Sequence, residues 1–174
     1  MESGYTITTA TREHLEALSD IELAAATMFE GSVPASVPQV STPRSKFQSA
    51  QREGRLWVAL SGETPVGFAL VEMLAEDLPH LEEIDVHPQH GRRGLGTKLV
   101  RAICAWAMAT GYHSVTLTTF RDVPWNMLFY ARLGFEVIPW EALSPALRSV
   151  VQDETRRGLD PTRRVAMRRP CVVY

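Results

Sequence analysis

The segment that says most about this chain is His87-Pro88-Gln89-His90-Gly91-Arg92-Arg93-Gly94-Leu95-Gly96-Thr97-Lys98-Leu99-Val100. Three glycines and two arginines occupy the six positions from 91 to 96, between a short apolar stretch and a long amphipathic one. Glycine lets the backbone approach a ligand closely. A helix that begins here directs unpaired N–H groups and the positive end of its dipole towards the turn. The segment therefore predicts a phosphate or pyrophosphate site at a strand-to-helix joint.

Two common phosphate-binding motifs fit this segment poorly. The dinucleotide fingerprint, G-x-G-x-x-G/A, matches at Gly94 and Gly96 but meets Leu99 at its third position. The P-loop, G-x-x-x-x-G-K-S/T, matches at Gly91 and Gly96, but the lysine and the threonine that follow stand in reverse order. A nucleotide-binding protein is therefore a weak alternative, and it predicts ATP binding.

A third pattern fits better. The spacing of Gly94 and Gly96 resembles R/Q-x-x-G-x-G/A, the pyrophosphate-binding motif of the GNAT superfamily of N-acetyltransferases. Gly91 stands where that family usually has arginine or glutamine, so no side-chain contact is expected from this position. The departure is modest, because the family binds the pyrophosphate of coenzyme A largely through backbone amides.

A second segment, residues 122–135, resembles the other hallmark of this family, a short helix that ends in Tyr-x-x-x-Gly-Phe. Tyr130, Gly134 and Phe135 occupy the named positions. Pro124 suits the first helical turn, where its missing N–H costs nothing, and Gly134 suits the left-handed position just past a helix end. Both motifs occur in the family's order and near its usual separation. The chain is thus identified as a member of the GNAT superfamily.

The resemblance implies an enzyme that moves an acetyl group from acetyl-coenzyme A, its co-substrate, to a primary amine of a small molecule or peptide. Direct attack in a ternary complex is expected, because neither cysteine is placed as a nucleophile. No metal is expected. The residues expected to bind the cofactor are Val86, Gly91, Arg92, Arg93, Gly94, Leu95, Gly96, Thr97, Asn126 and Tyr130. The alternative from another class is a non-catalytic acyl-coenzyme A binding or regulatory module.

Acetyl transfer needs a base for the incoming ammonium group and an acid for the leaving thiolate. The resemblance places Tyr130 beside the coenzyme A sulfur, and a tyrosine hydroxyl keeps its proton at neutral pH. In relatives with a carboxylate base, the base often lies four residues before the position of Val86, which is Glu82. In others it lies six residues before, which is His80. A bulge in this strand would bring Glu83 in instead. We rank Glu82 first, Glu83 second and His80 third, and leave open a water that carries the proton.

Composition bounds the class of protein. The 174 residues, 45% hydrophobic and 22% charged, fit one domain over residues 1–174. A formal net charge of −2 gives no reason to expect nucleic acid as a partner. No apolar run reaches the roughly 18 residues of a membrane span, and the first residues do not resemble a signal peptide. Cys104 and Cys171 lack metal or redox spacing. We therefore expect a cytoplasmic protein with free thiols; a homodimer stays open.

Periodicity predicts seven strands and five helices in the order β-α-α-β-β-β-α-β-α-β-α-β. This order agrees with the single-domain acetyltransferase fold, an α/β (α+β) class with a mixed central sheet of about seven strands flanked by helices. The first helix is predicted from Thr11 to about Phe29, and residues 77–80 are predicted to turn into a central strand at 81–86. The last part of the chain is rich in arginine: Arg156, Arg157, Arg163, Arg164, Arg168 and Arg169. In this arginine-rich end, the charges are expected to be solvated, on a helix end and an edge strand. A helix near 145–157 either covers the acceptor or forms a solvated connection.

Overall fold

The computed structural model describes residues 4–27 and 41–171. The described strands are β1 Tyr5–Thr9, β2 Leu56–Ser61, β3 Thr64–Ala75, β4 Leu78–Val86, β5 Ser114–Phe120, β6 Glu136–Ile138 and β7 Arg164–Pro170. The described α-helices are α1 Leu18–Ala26, α2 Arg44–Arg52, α3 Leu95–Thr110, α4 Pro124–Arg132 and α5 Pro145–Arg156. In this part of the chain, no helix combines the length and the apolar character of a membrane span.

The seven strands form one mixed sheet in the order β1-β2-β3-β4-β5-β7-β6. The pairs β1·β2, β2·β3, β5·β7 and β6·β7 are antiparallel, whereas β4 and β5 are parallel. A parallel pair needs a long crossover connection, and α3 lies in the connection between β4 and β5. The predicted element order and fold class are therefore confirmed. The expectation of an edge strand at the arginine-rich end is wrong, because the three-residue strand β6 pairs with the outer side of β7.

One compact unit lies within Met1–Glu30, Gln39–Glu72 and Leu81–Ala105. Its core joins α1 and α2 to the first strands through Leu18 and Phe68, both 0% exposed. The rings of Phe47 and Phe68 meet edge to face with centroids 5.3 Å apart. The hydrophobic spacing of α2 thus places one side of the helix against the sheet and leaves the other side to solvent.

Two element boundaries of this region differ from their predictions. Residues Arg12–Ala17 form a 3₁₀ helix before α1, so the α-helix begins only at Leu18. Strand β4 begins at Leu78, where the sequence predicted a turn, and Pro79 and His80 are buried. A proline is compatible with the start of a strand, where its missing N–H is not needed. Phe29, the predicted end of the first helix, lies outside the described residues. The prolines of residues 31–43 predict a loop, and positions 31–40 of it also lie outside the described residues.

A second compact unit takes in Met73–His80 and Trp106–Tyr174. Helix α5 belongs to its core, because Leu147 is 2% exposed and packs with Ile138, Leu143 and Ala166. A solvated connection is therefore the wrong description of α5, whereas a role over the acceptor stays a prediction. Ser144 caps this helix by accepting a hydrogen bond from the Leu147 N–H, 3.2 Å long.

The same helix carries a buried charge. Glu154 is 4% exposed, and its carboxylate accepts hydrogen bonds from the Arg164 guanidinium at 3.1 Å and the Thr118 hydroxyl at 3.0 Å. Strands β5 and β7 supply the two partners. Arg164 is therefore a structural residue and not a solvated one. Such a network is costly to break, because the remaining charge stays buried without compensation.

We expect Glu154→Ala to lower the free energy of unfolding by about 3 kcal/mol, the cost of leaving one partner of a buried pair uncompensated. Urea denaturation monitored by circular dichroism measures the change. Asp153→Ala is the matched control, since Asp153 forms an exposed ion pair with Arg156 on the same helix, and exposed pairs contribute little. Equal losses in the two variants would contradict a stabilising role for the buried network.

Candidate active site

The glycine-rich turn joins the end of β4 to the start of α3. A short 3₁₀ turn, Pro88–His90, follows the strand, and two left-handed positions come next: Arg92 with φ +58° and Gly94 with φ +75°. Arg92 is the one residue other than glycine with a positive φ in the described part of the chain. Such conformations cost energy and concentrate at functional sites. The left-handed backbone of Arg92 is therefore typical of a functional site.

The start of α3 offers several backbone donors. The first helical hydrogen bond runs from the Lys98 N–H to the Gly94 carbonyl, 3.0 Å long, so the N–H groups of the three preceding residues come before the helical ladder. Leu95 is 2% exposed and anchors this end in the core. The predicted binding residues from 91 to 97 thus lie together at a helix N-terminus, an arrangement that fits a pyrophosphate group.

Tyr5, a residue from outside the turn, contacts one of its arginines. The Arg93 guanidinium lies 5.7 Å from the ring centroid of Tyr5 on β1, a cation–π contact. The Tyr5 hydroxyl is 2.8 Å from Nδ1 of His90. Sequence reasoning missed Tyr5, because Tyr5 and Arg93 are distant in sequence and only the alternating pattern of β1 was visible. Arg92 and Arg93 are both exposed.

Glu82 on β4 belongs to a group of three charges. Its carboxylate pairs with the Lys46 ammonium group of α2, which also lies 3.0 Å from the Glu72 carboxylate of β3. Burial raises the pKa of Glu82 to about 7, and a hydrogen bond with Glu72 adds to the rise while Lys46 opposes it. Glu82 therefore gains and loses a proton near neutral pH, as a general base should.

Glu83 and Asp85 belong to a different cluster. One carboxylate oxygen from each lies within 4.8 Å of the other and of a Glu22 oxygen. Burial raises the pKa of both Glu83 and Asp85, and their mutual repulsion adds to the rise at Glu83, so the pair retains a proton at neutral pH. Glu83 and Asp85 are two positions apart on β4 and so share one side of the strand. The bulge that would exchange Glu82 for Glu83 stays a prediction.

This cluster suits an ammonium group better than a metal ion. Glu22 already accepts hydrogen bonds from Thr42, one of them from its N–H at 2.8 Å. Metal ligands must be deprotonated, and burial raises the pKa of both Glu83 and Asp85. Oδ2 of Asp85 is buried and makes no hydrogen bond with any residue that the structure describes, so it is an acceptor that a protonated amine could satisfy.

His80, the third candidate base, lies in the second unit. It is 4% exposed, and its Nδ1 is 2.9 Å from the Thr116 hydroxyl oxygen. The Thr116 hydroxyl is an uncharged partner, and it occupies one of the two ring nitrogens of His80. His80 is therefore a well-packed core residue by its geometry, and Glu82 keeps the first rank.

Tyr130 lies near the end of α4, which begins at Pro124 and is followed by Gly134 in a left-handed conformation, φ +91°. Both sequence expectations for this helix are confirmed. The Tyr130 side chain is 9% exposed and packs against the rings of Phe129 and Phe135, with centroids 5.0 and 5.8 Å away. Asn126, one turn earlier, is half-buried. The ring of Tyr130 is thus held on two sides.

Comparison with known proteins gives this geometry a family. Residues 18–135 match the Acetyltransferase (GNAT) family. Over 78 residues the chain is 35% identical to the mycothiol acetyltransferase of Rhodococcus erythropolis, a stretch that covers 45% of this chain and 24% of that protein. The chain therefore matches only about a quarter of the length of this relative.

Solved structures with similar folds agree. The ribosomal-protein-S18-alanine N-acetyltransferase of Escherichia coli superimposes with a TM-score of 0.67, at 18% identity, over 98% of this chain and 96% of that one. A GNAT acetyltransferase of Staphylococcus aureus Mu50 gives 0.73 at 15% identity, over 97% and 99%. The PaiA N-acetyltransferase of Thermoplasma acidophilum, in complex with coenzyme A, gives 0.66 at 14%, over 95% and 98%. The fold, the two motifs and the family match agree: the chain belongs to the GNAT acetyltransferase family.

Proposed function

We propose that the protein is a single-domain N-acetyltransferase that moves an acetyl group from acetyl-coenzyme A to a primary amine of a small molecule or peptide. The observation that carries this proposal is the turn before α3, where backbone N–H groups precede the helical ladder in a chain of this family. Cys104 is buried within α3, so it does not offer an acyl-enzyme nucleophile. We therefore favour direct attack of the amine in a ternary complex.

In this proposal, different residues of the chain bind different parts of acetyl-coenzyme A. The N–H groups of Leu95, Gly96 and Thr97 bind the pyrophosphate, and the two arginines of the turn add charge-assisted contacts. The backbone of Val86, at the end of β4, pairs with the pantetheine arm as an added strand would. The co-substrate supplies the activated acetyl thioester, and Asn126 belongs to the part of the site that orients it.

The proton transfers are assigned to two residues. Tyr130 donates a proton to the leaving thiolate, because its hydroxyl is protonated at neutral pH. Glu82 accepts the proton of the incoming amine, because its pKa of about 7 leaves part of the population as carboxylate at neutral pH. Glu83 is the weaker candidate, since its raised pKa keeps it protonated.

The carboxylates around β4 favour an acceptor that arrives as a cation. Glu22, Glu83 and Asp85 are close enough to surround one ammonium group. The names of the compared proteins include mycothiol in one case and the alanine of ribosomal protein S18 in another, so we keep both small-molecule and peptide amines. Within the part of the chain that the structure describes, Cys104 and Cys171 form no disulfide. This suits a reducing compartment, and we propose the cytoplasm as the location.

An acceptor screen tests the reaction and the substrate together. Free thiol released from acetyl-coenzyme A is measured with a polyamine, an aminoglycoside, an amino acid, a peptide with a free N-terminus and a protein lysine. Turnover with at least one amine is expected. Tight coenzyme A binding without turnover on the whole panel would favour the non-catalytic binding module. Displacement of coenzyme A by ATP would instead favour a nucleotide-binding protein.

We expect Glu82→Gln to remove the acidic limb of the pH profile of kcat/KM. In the wild-type enzyme this limb falls as the pH drops through about 7, because Glu82 takes up a proton. The loss in the variant should be on the order of tenfold at neutral pH, below the full general-base factor because water also accepts protons. The loss should shrink at higher pH, where the amine arrives neutral.

Glu72→Gln is the matched comparison for this profile. The Glu72 carboxyl raises the pKa of Glu82 through a hydrogen bond and its charge, so its removal should move the acidic limb to lower pH and preserve the plateau. A wild-type profile in Glu82→Gln, with the limb lost in Glu83→Gln or His80→Gln, would show that the base is assigned to the wrong residue. If all three variants keep the limb, the proton leaves through water.

A further inference from the structure

A cavity of about 420 Å³ opens on the first unit, and none of its lining residues is assigned to acetyl transfer. It lies between the 3₁₀ helix Arg12–Ala17 and α2. Its lining is Arg12, Leu15, Arg44, Gln48, Gln51 and Arg52. The lining therefore combines three guanidinium groups and two amides with one buried apolar residue, Leu15, which is 5% exposed.

Helical spacing explains how α2 contributes to this cavity. Arg44, Gln48, Gln51 and Arg52 recur at helical spacing and so share one side of the helix. Phe47 and Ala50 lie on the core side, each 1% exposed. Lys46, the partner of Glu82, points away from the cavity side by the same spacing. The cavity is thus a second feature of α2, separate from the candidate base.

The three arginines of this cavity are exposed, and no ion pair within the described residues holds them. In the part of the chain that the structure describes, no carboxylate lines the cavity. Arg44 is the first residue of α2, and that helix has no acidic residue in its first turn. A cation at a helix N-terminus is unfavourable with the helix dipole. Local stability thus gives no reason for this placement, whereas an anionic ligand does.

We propose that this cavity binds a small organic anion with at least two carboxylate or phosphate groups. Guanidinium groups match both oxyanions with paired N–H donors, and the glutamine amides add neutral donors. A volume of about 420 Å³ falls in the range of small-molecule sites and exceeds what a single inorganic oxyanion fills. Leu15 offers an apolar contact for the carbon skeleton. The proposal does not depend on acetyl transfer, because no residue is shared with that site.

Isothermal titration of the full chain with citrate and, separately, with inorganic pyrophosphate tests this site at about 0.15 M salt, where weak surface attraction is screened. The two probes distinguish carboxylate from phosphate recognition. Each titration is repeated with saturating coenzyme A, which should leave binding at this cavity unchanged. Arg44→Gln should weaken binding about tenfold, the usual effect of losing one hydrogen-bonded charged group. Arg44→Lys should give an intermediate loss, because it keeps the charge without the paired donors.

Arg101→Gln is the matched control, since Arg101 is an exposed arginine of α3 in the same unit. It removes one positive charge and should leave the affinity unchanged. Equal losses in Arg44→Gln and Arg101→Gln would overturn the proposal in favour of general charge attraction. Failure of both probes to bind at about 10 mM would also overturn it. Arg44 is exposed, so the variants should fold as the wild type does, and circular dichroism checks this.

Discussion

Tyr130→Phe should lower kcat by about 10²–10⁴-fold, the usual contribution of a general acid, while coenzyme A binding changes little. The substitution keeps the ring that packs against Phe129 and Phe135 and removes only the hydroxyl. Packing and stability should therefore be preserved, and the loss should fall on protonation of the leaving thiolate. Steady-state kinetics gives kcat and KM, and calorimetric titration with coenzyme A gives the dissociation constant.

Tyr112→Phe is the matched control for this prediction. Tyr112 is a partly buried tyrosine whose ring contacts Trp106, with centroids 5.4 Å apart, and no part of the proposed reaction uses its hydroxyl. Its kcat should equal that of the wild type. An unchanged kcat in Tyr130→Phe would mean that solvent protonates the thiolate. A dissociation constant that rises as much as kcat falls would make Tyr130 a binding residue and not an acid.

The two motifs could be placed from sequence because each depends on local backbone geometry. Gly94 and Gly134 adopt φ values of +75° and +91°, which other residues adopt only at a cost. Pro124 at the first position of α4 is also a local signal, because the first helical turn does not need its missing N–H. Local conformational preference therefore predicted where the turn and the short helix begin and end, and with them the order of the elements.

Long-range pairing was not visible in the same way. Strand β7 pairs on both sides, with β5 and β6, yet its run of arginines suggested a solvated edge. One of these arginines, Arg164, is not solvated. Its guanidinium pairs with the Glu154 carboxylate of α5. Composition gives the charges of a segment, but only the folded chain determines which of them meet.

The candidate base shows the same limit on the chemistry of the site. The sequence placed Glu82 and Glu83 side by side, and Glu82 ranked first only on the spacing seen in relatives with a carboxylate base. Their environments differ because Lys46, 36 positions away, pairs with Glu82, while Glu83 shares its cluster with Asp85 and Glu22. Burial raises the pKa of both carboxyls, and these neighbours add to the difference between them. Proton affinity is therefore a property of the fold, and the ranking of the bases gains a physical reason only there.

Gly96→Glu should weaken coenzyme A binding by about 3 kcal/mol or more, the scale of an uncompensated buried charge, which is more than a hundredfold in affinity. Gly96 lies in the first turn of α3, ahead of the first helical hydrogen bond donated by Lys98. A carboxylate there adds bulk and negative charge where the pyrophosphate is proposed to bind. Glutamate is nevertheless favourable near a helix N-terminus, so the variant should fold.

Gly96→Ala separates the two causes of this loss, because it adds a methyl group without charge. Its affinity should lie between those of the wild type and Gly96→Glu if both bulk and repulsion contribute. Raising the salt concentration should recover part of the affinity of Gly96→Glu only, since salt screens charge and not bulk. A folded Gly96→Glu variant that binds coenzyme A as the wild type does would remove the turn from the cofactor site, and the proposed function would lose the observation on which it rests.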